Sequence, residues 1–182
     1  MPGVHTPRFG DGISDVVPQG SGDLLSVGRD LVCPVPRLEE IAPDNVSAAV
    51  NIKVGPEQEA FVAPVVTSLA EAYASRRTAW PRLVYDDDRA VAFIMGNFDP
   101  DNETEAFRCG IWRLNVDVDE QGKGYGRFAV LAFCEEARRR GNRRVTVLWE
   151  QGEGGPEAFY LRLGFRPTGE VLFGETVGEL LL

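Results

Sequence analysis

The stretch 107–141 limits the possible folds most strongly, because a strand, a glycine-rich loop and a helix follow one another directly in it. Residues 107–118 alternate with the period of two that a strand requires. After the loop 121–126, a segment from about residue 124 to 140 predicts a helix, and three arginines followed by Gly141 are typical of a helix C-terminus. The stretch predicts a chain of mixed α and β structure.

The predicted strand 107–118 has two different faces. One face carries Gly110, Trp112, Leu114, Val116 and Val118. The other face becomes polar toward its C-terminal end, because it carries Ile111, Arg113, Asn115 and Asp117.

Three further helices are predicted. One is expected to begin near Asp44, and a short one is expected to run from Gly155-Pro156 to Gly164, since proline favours helix starts and glycine favours helix ends. The third begins near Pro64 and is predicted by a core-facing stripe with helical spacing. The stripe consists of Val66, Leu69, Ala70 and Tyr73.

The remaining strands are predicted at 37–41, 82–85, 90–95 and 145–149, with two closing strands in 165–182 that are split near Gly169 or Gly174. The aspartates at 86–88 favour a tight turn between the second and third strands. Strand 90–95 is apolar on both faces, so we expect it in the centre of the sheet. The order of elements predicts an α+β fold with a mixed sheet.

The N-terminal segment 1–36 contains six glycines and five prolines and has no hydrophobic period, so it is predicted to be a flexible arm on a single domain, 37–182. No apolar run is long enough to cross a membrane, and the N-terminus lacks the pattern of a secretory leader. The three cysteines, Cys33, Cys109 and Cys134, have no paired spacing, so neither a disulfide framework nor a zinc site is expected. These features predict a cytoplasmic protein.

The charge balance excludes some partners. The chain has 19 Lys and Arg against 28 Asp and Glu, a net charge of −9. Nucleic acid is therefore not expected as a partner, because phosphate binding needs concentrated positive charge. A small cationic substrate suits an acidic protein, although such a charge also serves solubility alone.

The single histidine, His5, lies near the terminus. Its position excludes Ser-His-Asp and Cys-His catalysis and histidine-based metal sites from the predicted domain. An enzyme built on this chain must rely on Asp, Glu, Tyr, backbone groups or a cofactor.

The loop 121–126 lies between a strand and a helix N-terminus, where backbone N–H groups and the helix dipole favour an anion. An ordinary tight turn explains the same glycines. No Ser or Thr follows Lys123, so the loop is not a P-loop, and the spacing G-x-G-x-G differs from the Rossmann fingerprint.

Two motifs resemble the GNAT superfamily of acetyl-CoA-dependent N-acetyltransferases. Residues 114–126, LNVDVDEQGKGYG, are similar to the family's strand followed by Q/R-x-x-G-x-G/A, and 159–165, FYLRLGF, to its Y-x-x-x-G-F. Phe61-Val-Ala63, the segment 68–73, and Ile111-Trp-Arg-Leu114 resemble the bacterial spermine/spermidine acetyltransferase branch. The resemblance implies a GNAT-like fold, with a mostly antiparallel sheet that splays at the cofactor site and helices on both faces.

The resemblance also implies a set of cofactor-binding residues for acetyl-CoA. The backbone of Val116, Asp117 and Val118 would bind the pantetheine arm, and the N–H near Val116 would contact the thioester carbonyl. The pyrophosphate would be held by the N–H groups of Gln121, Gly122, Lys123, Gly124, Tyr125, Gly126 and Arg127.

Transfer in this family is direct attack of an amine on the thioester, so the resemblance implies only a few catalytic side chains. Tyr160 would donate a proton to the departing thiolate, while a core tyrosine is the structural alternative. Glu150 is the candidate base, and a water relay serves equally well. Glu71, Glu150 and Glu153 are the candidate partners of the distal ammonium groups of a polyamine.

Other functions stay open at this point. An aminoglycoside, an amino acid or a protein N-terminus would serve as the amine in a related enzyme, and a non-catalytic acyl-CoA-binding module would share the cofactor loop. A monomer and a homodimer are both compatible with the sequence.

Overall fold

The computed structural model describes residues 35–182. The predicted arm therefore lies outside the described residues except for its last two, as do His5 and Cys33. The strands are β1 (Arg37–Glu40), β2 (Ala79–Asp86), β3 (Arg89–Phe98), β4 (Cys109–Val116), β5 (Arg144–Trp149), β6 (Arg166–Leu172) and β7 (Glu175–Leu181). The helices are α1 (Val46–Val50), α2 (Val65–Ala74), α3 (Tyr125–Arg139) and α4 (Glu157–Arg162), with short 3-10 helices at Pro56–Gln58, Glu105–Phe107 and Val118–Glu120.

The strands form one seven-stranded sheet in the order β1-β2-β3-β4-β5-β7-β6. Every neighbouring pair is antiparallel except β4 and β5, which run parallel. The apolar strand β3 lies between β2 and β4, and its residues from Val91 to Phe98 are all buried, as its sequence predicts. The predicted α+β class with a mixed, mostly antiparallel sheet is confirmed.

Helices cover both faces of this sheet. On one face, α3 and α4 pack on the strands through a core that includes Phe133 and Tyr160. On the other face, α1 and α2 bury Ala49 and Val65 against Leu83 and other residues of β2 and β3. The site described below lies where β4 and β5 meet between these two layers.

The predicted helix ends are also confirmed. α3 ends at Arg139, and Gly141 follows with φ 81°, a left-handed conformation that glycine adopts without strain. Pro156 caps the start of α4, and Gly164 follows it with φ 97°. The closing strands separate at Phe173 and Gly174, whereas Gly169 lies in an irregular part of β6.

The predicted core-facing stripe of α2 is wrong by one residue. The side chains that α2 buries are those of Val65, Ser68 and Ala72, and Leu69 is partly buried. Val66 is 60% exposed and Tyr73 is 69% exposed. Two apolar stripes with helical spacing overlap in this sequence, and packing against β2 and β3 selects the one that begins at Val65.

The predicted faces of β4 are corrected by a β-bulge. Met95 of β3 pairs with Arg113 and the next residue, Gly96, pairs with Ile111. Trp112, which lies between them on β4, is therefore left without a partner on β3. The extra residue reverses the alternation: Ile111 packs on the α3 side with Leu114 and Val116, whereas Trp112 packs on the α2 side. Arg113 and Asn115 keep their common face, which is the α2 side.

No helix among residues 35–182 is both long and apolar enough to cross a membrane. Cys109 and Cys134 are buried with free thiols, and burial raises the pKa of Cys134 to about 11.

Candidate active site

The strands β4 and β5 separate soon after they meet. They pair only at Gly110 with Thr146 and at Ile111 with Val147, although β4 continues to Val116 and β5 to Trp149. Parallel strands that part in this way leave one edge of β4 without a strand partner.

The unpaired edge of β4 is formed by alternate residues. The N–H of Asp117 donates to the carbonyl of Val91 on β3 at 3.0 Å, so the backbone groups of Asp117 point toward β3. In a strand the next residue points its N–H and C=O the opposite way. The backbone groups of Val116 and Leu114 therefore face the opening between β4 and β5.

Of the three residues predicted to bind pantetheine, only Val116 directs its backbone N–H into the opening without a partner among the described residues, because its carbonyl accepts from Gln121. The N–H of Val118 donates to the carbonyl of Lys53 at 2.8 Å, and that of Asp117 is used by β3. The Gln121 side chain donates to the Val116 carbonyl at 3.2 Å and also to Gln58 at 2.6 Å, so it ties the end of β4 to the 3-10 helix Pro56–Gln58.

The glycine loop leaves open space at the start of α3. Gly122 and Gly124 have φ of 75° and 94°, and nothing lies within 4 Å of a Cβ built on either. The first intrahelical bond runs from the N–H of Phe128 to Gly124 at 2.9 Å, so the N–H groups of Tyr125, Gly126 and Arg127 have no helical acceptor. This space and these donors fit an anionic group.

Two side chains of the loop are held by contacts within the protein, those of Lys123 and Tyr125. Glu120 is 5% exposed and binds Lys123 at 2.8 Å and Arg89 at 2.6 Å. The Tyr125 hydroxyl donates to Asp86, and this bond is the main reason that its pKa rises to about 12. The Tyr125 side chain is therefore directed inward, whereas the side chains of Lys123 and Arg127 are exposed and Lys123 is paired with Glu120.

Replacing Tyr125 with phenylalanine should lower the free energy of unfolding by about 1–2 kcal/mol near neutral pH, because a hydrogen bond to a carboxylate is lost. The folded pKa of Tyr125 lies above its ordinary value of 10, so this contribution is present below pH 10 and is lost as the pH rises to about 12. Denaturant unfolding of both proteins at pH 7 and pH 12 checks this. An equal difference at both values would contradict the assignment.

Tyr160 lies in α4 and packs against the end of β5. Its ring stacks on Trp149, the last residue of β5, with centroids 5.9 Å apart, and it meets the rings of Phe159 and Phe165 edge-on. Tyr160 is 5% exposed, and burial raises the pKa of its hydroxyl. The Trp149 indole N–H beside it is buried without a hydrogen-bond partner among residues 35–182.

The loop that precedes α2 bridges the two separated strands. The Ala63 carbonyl accepts a hydrogen bond from the Asn115 side chain of β4 at 3.1 Å. At the other end, the Phe61 ring packs on the segment after β5, where it lies 3.4 Å from a Cβ built on Gly152 and 3.5 Å from one built on Gly155. The bridging loop 61–63 thus covers the gap on the α2 side.

The three predicted ammonium partners differ in their surroundings. Both carboxylate oxygens of Glu71 accept a hydrogen bond from one nitrogen of Arg113, Nη2, at 3.2 and 3.0 Å, so its charge is already compensated. Glu150 and Glu153 are exposed in the segment that follows β5, at the edge of the gap. Glu150 and Glu153 therefore lie three residues apart in one exposed segment, whereas Glu71 lies on α2 and is paired with Arg113.

The sequence alone did not single out Arg113, Asn115, Trp149 or Gln58 as site residues. One feature of the sequence could have pointed to Arg113 and Asn115, namely the polar C-terminal half of their face of β4. No feature pointed to Gln58 or Trp149, because a glutamine in a loop and a tryptophan at the end of a strand are common in proteins of any function.

Several solved structures share this fold. The PaiA N-acetyltransferase from Thermoplasma acidophilum in complex with coenzyme A is 10% identical, with a TM-score of 0.59 over 81% of this chain and 99% of that one. The GNAT domain of S. lividans PAT is 15% identical, with a TM-score of 0.64 over 81% and 90%. A Bacillus subtilis acetyltransferase in complex with CoA is 14% identical, with a TM-score of 0.56 over 81% and 97%.

The family follows from the sequence itself. The model of the acetyltransferase (GNAT) family matches residues 46–165, from the first residue of α1 to beyond the end of α4. The chain belongs to the acetyltransferase (GNAT) family. No curated protein sequence matches it.

Proposed function

We propose that this protein transfers the acetyl group of acetyl-CoA directly to a primary amine. The observation that carries the proposal is the gap between β4 and β5 beside the open glycine loop at the start of α3. Two solved structures with this fold, from T. acidophilum and B. subtilis, were determined with coenzyme A.

The backbone supplies most of the cofactor contacts in this proposal. The unpaired edge at Val116 binds the pantetheine arm like an added strand, and its N–H polarises the thioester carbonyl. The N–H groups from Gln121 to Arg127 hold the pyrophosphate, with the Arg127 side chain exposed beside them. Asp117 and Val118, also predicted for this role, contribute by fixing the direction of the edge through their bonds to Val91 and Lys53.

The reaction forms a C–N bond and breaks a C–S bond, and the proton that the amine nitrogen loses equals the one that the sulfur gains. Tyr160 donates a hydrogen bond to the departing sulfur. Burial keeps its hydroxyl protonated, and the same burial opposes full loss of the proton. Before the attack, Glu150, or a water molecule that it orders, removes one proton from the incoming ammonium group and passes it to solvent; the neutral amine that results loses its second proton after the C–N bond forms, and that proton balances the one gained by sulfur.

The acceptor in the leading form of the proposal is a flexible polyamine such as spermidine or spermine. Two observations support this acceptor. The segments 61–73 and 111–114 resemble those of the spermine/spermidine acetyltransferase branch, and the net charge of the chain is −9. Glu150 and Glu153 are the carboxylates available to a distal ammonium group. Glu71 contributes less, because Arg113 already neutralises it.

A second acceptor class is favoured by Arg113. Its guanidinium lies on the α2 side of the gap, and its Nε–H is buried without a partner among the described residues. An amine that also carries a carboxylate or carbonyl oxygen, such as an amino acid or a protein N-terminus, would pair with that donor.

Neutralising two carboxylates separates the acceptor classes. The double change Glu150→Gln and Glu153→Gln should raise KM for spermidine several-fold, since partly exposed ion pairs contribute about 0.2–1 kcal/mol each. KM for a monoamine of similar length should stay nearly constant, while kcat should fall for both amines because Glu150 is also the candidate base. The double change Glu40→Gln and Glu135→Gln alters the net charge equally at exposed sites on β1 and α3 and serves as the control. Equal effects on both amines would reject the polyamine acceptor.

The proposed activity itself is tested by CoA release from acetyl-CoA with spermidine, spermine, L-lysine, kanamycin and a short peptide as separate acceptors. Thiol release with at least one of them is expected. Tight acetyl-CoA binding without release across the panel would favour a non-catalytic acyl-CoA-binding module.

A further inference from the structure

Asn115 lies in the separated part of β4. It follows the last residue paired with β5, Ile111, by four positions, and its side chain lies on the α2 side beneath the bridging loop 61–63. It is 2% exposed.

Only one of the two polar groups of the Asn115 amide has a hydrogen-bond partner among the described residues. The Nδ2 group donates to the Ala63 carbonyl, and since a carbonyl only accepts, this bond fixes which end of the amide is nitrogen. The Oδ1 atom is buried and has no hydrogen-bond partner among residues 35–182. A buried carbonyl oxygen destabilises the fold unless a donor pairs with it, so this oxygen has the capacity to accept from a donor outside the chain, a water molecule or a ligand.

The location specifies the kind of donor. Asn115 adjoins Val116, whose backbone is proposed to hold the thioester, and it lies on the face of the sheet opposite α3 and the pyrophosphate loop. Between Cys109 and Val116, β4 carries no carboxylate. An amine that entered beneath the bridging loop would meet a neutral oxygen rather than an anionic base at this point of β4.

We propose that Asn115 Oδ1 accepts a hydrogen bond from the acceptor amine and so aims its lone pair at the thioester carbon. This inference rests on the proposed function and applies to either acceptor class. The amide cannot remove the proton, so Asn115 binds and orients the amine while the proton leaves by another route. The Ala63 bond holds the oxygen in place before the amine arrives, which reduces the entropy lost on binding.

Asn97 provides a matched control within the same sheet. It is equally buried, its Nδ2 donates to the Phe107 carbonyl, and its Oδ1 also lacks a partner among the described residues. It pairs with Gly110, where β4 is still joined to β5, so it lies away from the gap.

The test compares Asn115→Ala, Asn115→Asp and Asn97→Ala with the unmodified full-length chain. Two quantities are measured for each amine of the panel: kcat/KM in CoA release, and the rise in Tm that the amine causes in the protein saturated with CoA. Asn115→Ala should lower kcat/KM for the best amine by about tenfold to a hundredfold and remove its Tm shift, with acetyl-CoA affinity within twofold. Asn97→Ala should leave both quantities within twofold.

Asn115→Asp distinguishes an amine contact from a structural anchor. Aspartate keeps an oxygen for the amine but cannot donate to Ala63, so it should retain amine binding within a few-fold of the unmodified protein. If Asp fails as Ala does, or if Asn97→Ala lowers kcat/KM as much, Asn115 only anchors the bridging loop and the inference is rejected. It is also rejected if no amine shifts the Tm of the CoA complex. Amine binding that depends on Asn115 without CoA release would uphold the inference and reject acetyl transfer.

Discussion

Replacing Gly124 with glutamate should abolish the thermal stabilisation that acetyl-CoA gives this protein. A ligand that binds only the folded state raises stability by mass action, by about 2.7 kcal/mol at a hundredfold excess over Kd. A glutamate at Gly124 adds a side chain and a negative charge in the open space at the start of α3, where the pyrophosphate is proposed to bind. Differential scanning fluorimetry with and without acetyl-CoA measures the effect.

Gly141 supplies the control for this variant. It also has a positive φ, 81° against 94° for Gly124, and it also has nothing within 4 Å of a built Cβ, but it lies at the opposite end of α3. Glutamate at either position should cost about 1–2 kcal/mol of backbone strain. Only the Gly124 variant should lose the acetyl-CoA shift. A retained shift in that variant would reject the assignment of the loop.

Changing Tyr160 to phenylalanine should lower kcat by about 10²–10³-fold, the range typical of losing one hydrogen bond to a charge that develops in the transition state. The packing of its ring on Trp149, Phe159 and Phe165 is kept, so Tm should change little. Steady-state CoA release and a thermal melt of the same preparation give the two numbers.

The same substitution at Tyr125 serves as the comparison, because it should change stability and leave the rate of transfer nearly unchanged. Tyr125→Phe loses the bond to Asp86 and should lower stability while the rate stays close to that of the unmodified protein. If Tyr160→Phe retains full activity, Tyr160 is a core residue whose hydroxyl takes no part in transfer.

Much of the fold was predictable because local signals agreed with tertiary packing. β3 is apolar on both faces and is central, and α3 and α4 end at glycines with positive φ. The arm 1–36 and the domain boundary stay predictions, since residues 1–34 lie outside the described part of the chain.

The errors have two physical origins. In α2 the sequence offers overlapping stripes, and only contact with the sheet selects Val65 over Val66. In β4 the alternation is broken by the bulge at Trp112, which depends on the register with β3 and leaves no mark in the residue pattern.

The candidate site was predictable where backbone and glycine define it and not where side chains from distant segments meet. The loop 121–126 was recognisable from its glycines and its position before α3. The pairing of Glu71 with Arg113 and of Asn115 with Ala63 joins residues 42 and 52 positions apart, so neither had a local signal. These long-range contacts change the predicted role of Glu71 and give Asn115 a role that the sequence did not indicate. The predicted role of the loop 121–126 does not depend on them.

The most direct test of the central claim is mass spectrometry of the acceptor after incubation with acetyl-CoA that carries an isotopically labelled acetyl group. We predict a labelled acetyl group on a primary amine of at least one panel member, formed in a one-to-one ratio with free CoA, and its loss in the Gly124→Glu variant. Label that appears only as free acetate, or on every amine equally with and without the protein, would contradict amine acetylation by this chain.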